Sequence, residues 1–163
     1  MAQITTNQEL TEAIIDWFKV NGTDQDKEST TPGDYAAGKY YGPISDWQIT
    51  DGVTSMEGAF AIDNPAYVGT AAAKGIRTFN KNIGSWNTNG VKNMSSMFKG
   101  AELFNNGEIG NTGANPLTWN TSKVTDMSEM FAGFYSFSET DGEIYISTVF
   151  NQPLGDKFDT SQV

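Results

Sequence analysis

The chain has no cysteine and no histidine. Without cysteine there is no disulfide framework and no thiolate chemistry, and the redox compartment stays open. Without histidine, Ser-His and Cys-His catalytic arrangements are excluded, as are the usual zinc sites. Basic residues are scarce: 10 Lys and Arg stand against 20 Asp and Glu, a formal charge of −10. That sign repels nucleic-acid phosphates and anionic membrane surfaces, so neither is an expected partner. No apolar run is long enough to span a bilayer, so no membrane insertion is expected. Met1-Ala-Gln-Ile-Thr-Thr lacks the basic-then-apolar pattern of a secretory leader. No Gly-Lys-Thr phosphate loop occurs.

What is present fits one domain of 163 residues with 37% hydrophobic and 12% aromatic content. The aromatic residues supply core area that the modest aliphatic content does not. Gly and Asn are abundant, as in a chain made largely of turns.

One phrase recurs. Trp86-Asn-Thr88-Asn-Gly-Val91-Lys-Asn-Met94-Ser-Ser-Met97-Phe98 returns as Trp119-Asn-Thr121-Ser-Lys-Val124-Thr-Asp-Met127-Ser-Glu-Met130-Phe131. A looser copy runs from Trp47 through Val53 and Met56 to Phe60, and a fourth starts at Phe158 and reaches Val163. A repeat this short cannot bury its apolar residues alone, so stacked copies are expected to share one core. Ser55, Asn93 and Asp126 precede the Met residues and are good helix caps, which predicts a short helical turn at each Met. Met94, Met97 and Phe98 then lie at i, i+3 and i+4, an inward face at core spacing. Gly100 and Gly133 follow as left-handed stops. The second half of the unit reads Phe79-Asn-Lys-Asn-Ile83-Gly-Ser-Trp86 and Phe150-Asn-Gln-Pro-Leu154-Gly-Asp-Lys-Phe158, with a split version at Phe104-Asn105 and Asn115-Pro-Leu117-Thr-Trp119. These read as extended segments lying side by side, with Asn80, Asn105 and Asn151 bonding to one another or closing turns.

Without insertions the unit would be about 25 residues long, a length usual for short solenoid repeats. The observed steps are longer: Trp47 to Trp86, Trp86 to Trp119 and Trp119 to Phe158 are 39, 33 and 39. The excess falls at one phase, in insertions at 62–78, 106–114 and 138–149. Insertions at one phase emerge on one face, so three stacked loops are expected there.

Residues 1–22 read as a helix. Thr6-Asn-Gln-Glu9 is a capping box, Leu10, Ala13, Ile14, Trp17 and Phe18 share a face, and Asn21-Gly22 ends it. The expected organisation is a capping helix and lead-in at 1–46, then repeats at 47–163.

The phrases Phe-Asn-x-Pro-Leu-Gly, Trp-Asn-Thr-Ser-x-Val-Thr-Asp-Met-Ser-x-Met-Phe and Phe-Asn-x-x-Ile-Gly-x-Trp resemble the BspA-like surface-protein repeat. That repeat is common in bacterial surface lipoproteins and in proteins of phages and algal viruses. The lead-in, Leu10, Ala13, Trp17 and then Tyr41-Gly42-x-Ile44-Ser45-x-Trp47, is similar to viral and algal members. The resemblance covers about residues 8–163. It implies an α/β repeat solenoid, leucine-rich-repeat-like, with an N-terminal capping helix and a non-catalytic role in surface attachment or assembly. This chain has about three and a half repeats and longer loops, and carries neither an export signal nor a lipid-attachment Cys. Those departures point to a small virion protein or a fragment of a longer chain.

The functional expectation is a non-enzymatic structural or attachment protein, a virion surface, decoration or tail-associated component. The alternative is a carbohydrate-binding adhesion module at an extracellular cell surface. Contacts are expected at the loop face, through Tyr67, Tyr135 and Tyr145, and at the open end, through Phe158 and Val163, with a partner protein, another copy or a glycan. No catalytic residue, cofactor or metal is assigned. Glu102, Glu108, Glu139, Asp141 and Glu143 are the acids a glycosidase-like pair would draw on, but they lie in or beside insertions. Thr23-Asp-Gln-Asp-Lys-Glu28 and Ser138-Glu-Thr-Asp-Gly-Glu143 are oxygen-rich, but neither has EF-hand spacing.

Overall fold

A computed structural model describes residues 2–22, 28–36, 39–109, 114–138 and 142–163. Strand β1 (Gln3–Ile4) leads into helix α1 (Asn7–Asn21), and β1 pairs in parallel with β2 (Gln48–Ile49). A one-turn helix α2 (Ala72–Gly75) follows, and an antiparallel hairpin joins β3 (Phe134–Ser138) to β4 (Gly142–Ile146).

Helix α1 begins where its sequence says. The Thr6 hydroxyl accepts from the Glu9 N–H at 3.1 Å. The Glu9 carboxylate reaches back to the N–H of Thr5 at 2.7 Å. That is one residue before the cap it was expected to meet. Gly22, at φ 58°, ends the helix with its N–H on the Phe18 carbonyl. The buried face is Leu10, Ala13, Ile14, Trp17 and Phe18. Trp17 and Phe18 meet Phe79 edge-on at 5.8 and 5.9 Å. Glu28 ties the helix to the lead-in, accepting from the Trp17 indole and the Ile44 N–H, each at 2.7 Å.

The expected α/β repeat solenoid is not the architecture. Among the described residues there are two α-helices and two two-stranded sheets, and the Met-Phe phrases are turns rather than helices. The reason is how the backbone uses its N–H groups. Met56, Gly58, Phe60 and Ile62 donate to the carbonyls of Asn93, Ser95, Met97 and Lys99 at 2.7 to 3.0 Å. Met94, Ser96, Phe98 and Gly100 donate to Asp126, Ser128, Met130 and Ala132 in the same register. The alternate N–H groups, at Ala59, Ala61, Met97 and Lys99, close local i to i+3 turns. A helix needs every N–H on the carbonyl four residues back, so this division excludes it. Gly58, Ser96 and Glu129 sit at equivalent positions with φ 57°, 54° and 55°. A left-handed residue there breaks a helix. The capping residues still bond locally: Asn93 accepts from the Ser95 N–H at 2.8 Å and Asp126 from the Ser128 N–H at 2.9 Å. Gly100 is left-handed at φ 70°, whereas Gly133 is not at positive φ.

The core is a set of ring columns. Phe60, Phe98 and Phe131 stack at 5.7 and 5.4 Å. Phe79, Phe104 and Phe150 stack beside them at 5.8 Å per step. The two columns touch at 4.2, 3.9 and 4.2 Å. Trp47 and Trp86 stack at 5.6 Å. The Trp86 indole donates to the Ile44 carbonyl and the Trp119 indole to the Ile83 carbonyl, at 2.8 and 3.0 Å. Each buried ring thus keeps its polar atom paired.

Candidate interaction surface

The insertions leave the core at matched positions. The Leu103 N–H bonds the Arg77 carbonyl and the Val149 N–H bonds the Glu102 carbonyl, at 3.0 and 3.3 Å. Leu103 and Val149 each precede a column Phe and are both exposed. One residue on from each Phe, an Asn carries the register inside. The Asn80 amide oxygen accepts from the Asn105 N–H and the Asn105 amide oxygen from the Asn151 N–H, both at 2.8 Å. These Asn residues thus bond side chain to backbone rather than amide to amide. Asn106, fully buried, holds the split insertion closed: it accepts from the Ile83 N–H at 2.8 Å and donates to the Asn115 carbonyl at 2.7 Å.

Ion pairs brace the same region. Arg77 meets Glu102 at 2.7 Å. Lys99 bridges Asp63 at 3.2 Å and Glu129 at 2.8 Å, and hydrogen bonds to Glu129 and then Asp63 raise its pKa. With Arg77 against it, Glu102 is an ion-pair partner. Glu143 lies on β4, while Glu139 and Asp141 lie outside the described residues. The oxygen-rich run 23–28 lies outside them but for Glu28, and so does the middle of the run 138–143, at 139–141. Among the described residues, no group of three acidic side chains gathers to hold a metal ion, and no helix is long and apolar enough to cross a membrane.

The expected contact residues divide. Tyr135 and Tyr145 face each other across the hairpin and are 58% and 73% exposed. Ile146, on the other side of the ribbon, is buried. The alternation of the strand fixes which side chains face out. Phe158 is half-buried against the core and Val163 is exposed. Tyr67 is corrected: it is 1% exposed, with its hydroxyl on the Ala59 carbonyl at 2.6 Å. Burial pushes its phenol pKa far up, so it stays neutral. Its position in an insertion suggested a surface, but the 3-10 turn Pro65–Tyr67 swings the ring inward, and the Asn64 side chain caps that turn on the Ala66 N–H.

Reasoning from sequence missed Val68 and Ile109, exposed at 79% and 78%, and Leu103 and Val149. The available signal was an aliphatic residue within or just before a polar insertion: Val68, Ile109 and Val149 lie within one and Leu103 just before the second.

Residues 39–163 match the family model described as "Mycoplasma protein of unknown function, DUF285". The chain belongs to that family. No curated protein and no solved structure matches it. The DUF285 match covers every ring column and all three insertions, while α1 lies before it. The surface built by the insertions is therefore part of what the family match spans.

Proposed function

We propose that this chain is a non-enzymatic structural or attachment protein that makes protein contacts through the surface its insertions build. The observation that carries the reading is where the exposed apolar side chains fall. Among the described residues Val68, Leu103, Ile109, Tyr135, Ile144, Tyr145 and Val149 lie in or beside the insertions, and of the exposed large apolar side chains Leu154 and Val163 do not. Exposed apolar side chains gathered in one kind of segment mark an interaction surface more than scattered ones do, and Tyr is enriched where proteins meet. The DUF285 match supports a repeat-bearing surface role, and the likeness of the phrases to BspA-like surface repeats narrows it to attachment. The setting proposed is a virion surface, with an extracellular cell surface as the alternative. The non-enzymatic reading rests on the absence of His and Cys from the sequence.

A second reading is a carbohydrate-binding module. It is favoured by the outward Tyr135 and Tyr145 pair, two adjacent flat rings on a β-ribbon. One preparation tests both. In native mass spectrometry, oligomers that dissociate on Tyr145→Ser and Val149→Ser support protein contact. Glycan-array binding without oligomers favours the module. A monomer that binds neither and is indifferent to both substitutions sinks the two readings together.

A further inference from the structure

A groove of about 470 Å³ lies between α1 and the first Met-Phe phrase, with Ser96 of the second phrase also lining it. Leu10, Thr11 and Ile14 form one wall, Pro65 the other, and Met56 and Ala59 lie in the floor. Its backbone is unusual within this molecule. In the second phrase, the carbonyls of Asn93, Ser95, Met97 and Lys99 each accept an N–H from the phrase before. The equivalent carbonyls in the first phrase are those of Ser55, Glu57, Ala59 and Ala61, and α1 rather than another phrase lies on that side. Local groups fill two of them: the Tyr67 hydroxyl bonds Ala59 at 2.6 Å and the Asn64 N–H bonds Ala61 at 3.2 Å. The carbonyls of Ser55 and Glu57 accept nothing from the described residues. They share the left-handed turn geometry of the other phrases, with Gly58 at φ 57° equivalent to Ser96 at φ 54°, and Ser55 and Glu57 both line the groove.

We propose that this groove binds a basic peptide segment of a partner protein through alternate backbone N–H groups of that segment. The two open carbonyls lie two residues apart, the same alternation at which the second phrase's carbonyls accept N–H groups from the first. Such N–H groups already occupy the same carbonyls in the second and third phrases, so the molecule itself shows which donor fits. The volume is that of an ordinary ligand site. The Glu57 carboxylate lines the groove, touched at 3.1 Å by the Asn93 amide, and Asp63, already paired with Lys99, lines it too. The chain carries a charge of −10. A Lys or Arg beside the paired backbone is therefore favoured and an acidic segment is repelled. The groove shares Asp63, Asn64, Pro65 and Ala66 with the first insertion but none of the exposed apolar residues Val68, Leu103, Ile109, Tyr135, Tyr145 and Val149.

The probe is acetyl-Ala-Lys-Ala-Lys-Ala-amide, read by amide chemical shifts and by calorimetry on the whole chain. Shifts are expected at residues 7–14 and 55–66. N-methylation at residues of one parity removes the donors and weakens binding about tenfold per lost hydrogen bond. N-methylation at the other parity is tolerated. The Glu-for-Lys peptide does not bind. Thr11→Trp, on the partly exposed wall, blocks the groove, and Glu57→Gln, fully on the surface, weakens the Lys peptide alone. Equal binding by both methylated forms overturns the proposal, as do shifts confined to residues outside 7–14 and 55–66 or no binding at millimolar peptide.

Discussion

At Gly90 the close packing of neighbouring segments comes down to one atom. A Cβ there would press into the backbone carbonyl of Asp51, which has no soft side-chain end to yield. Gly90→Ala is therefore expected to cost about 1–3 kcal/mol, the range for overpacking a well-filled site. Chemical denaturation measures it, and an unchanged midpoint would show that the segments are looser than drawn. Asp126 gives a second test at this scale. It accepts from the Ser128 hydroxyl at 2.7 Å and the Ser128 N–H at 2.9 Å, and those bonds, the hydroxyl first, lower its pKa from 3.8. A depressed carboxyl stabilises the fold above its unfolded pKa and loses that contribution as pH falls through the folded value. Asn93 makes the same two bonds to Ser95 without titrating. Asp126→Asn should flatten the stability profile below about pH 4, and a profile as steep as the parent's would assign the slope elsewhere.

Among the elements, the ring columns and the Asn row are predicted to bear most of the stability. Phe98 touches Phe60, Phe104 and Phe131, so Phe98→Ala removes the centre of one column and its contact with the centre of the other. The expected loss is about 3–5 kcal/mol in thermal or denaturant unfolding. Tyr145→Ser, on the exposed ribbon, should change stability by under about 0.5 kcal/mol. Asn105→Ala leaves the Asn151 N–H without its partner. That should cost about 1–3 kcal/mol. A loss for Phe98→Ala no larger than for Tyr145→Ser would contradict the stack. Recurrence made these positions legible: Trp, Val, Met and Phe return at fixed offsets, and nearly all are core. The backbone between them was not legible, because Met94, Met97 and Phe98 at i, i+3 and i+4 suit a helix and a left-handed turn alike. Only Gly58, equivalent to Ser96 and Glu129, hinted at the turn. The insertions were legible in phase but not in burial, since Tyr67 and Tyr145 look alike in sequence. What separates them is a local turn that aims one ring at the Ala59 carbonyl.

Across the whole molecule, one core runs from α1 to Phe158, so no part of it is expected to melt alone. The sharpest consequence concerns α1. The cap and the apolar stripe both announced this helix, and its side chains meet the ends of the columns: Trp17 and Phe18 close on Phe79, while Gly75 sits against the Phe18 ring. Burying Leu10, Ile14, Trp17 and Phe18 stabilises the fold by roughly 6–12 kcal/mol, at about 1.5–3 kcal/mol each. A domain of this kind is stable by only about 5–15 kcal/mol in total. Deleting residues 1–22 should therefore abolish the cooperative transition rather than shift it, although every residue of the matched segment 39–163 remains. Near-ultraviolet circular dichroism, reporting the packed Trp and Phe rings, should collapse while the exposed apolar surface binds a fluorescent dye. A truncated chain that still melts cooperatively with native ring signals would make the repeats self-sufficient and reduce α1 to a wall of the groove beside it.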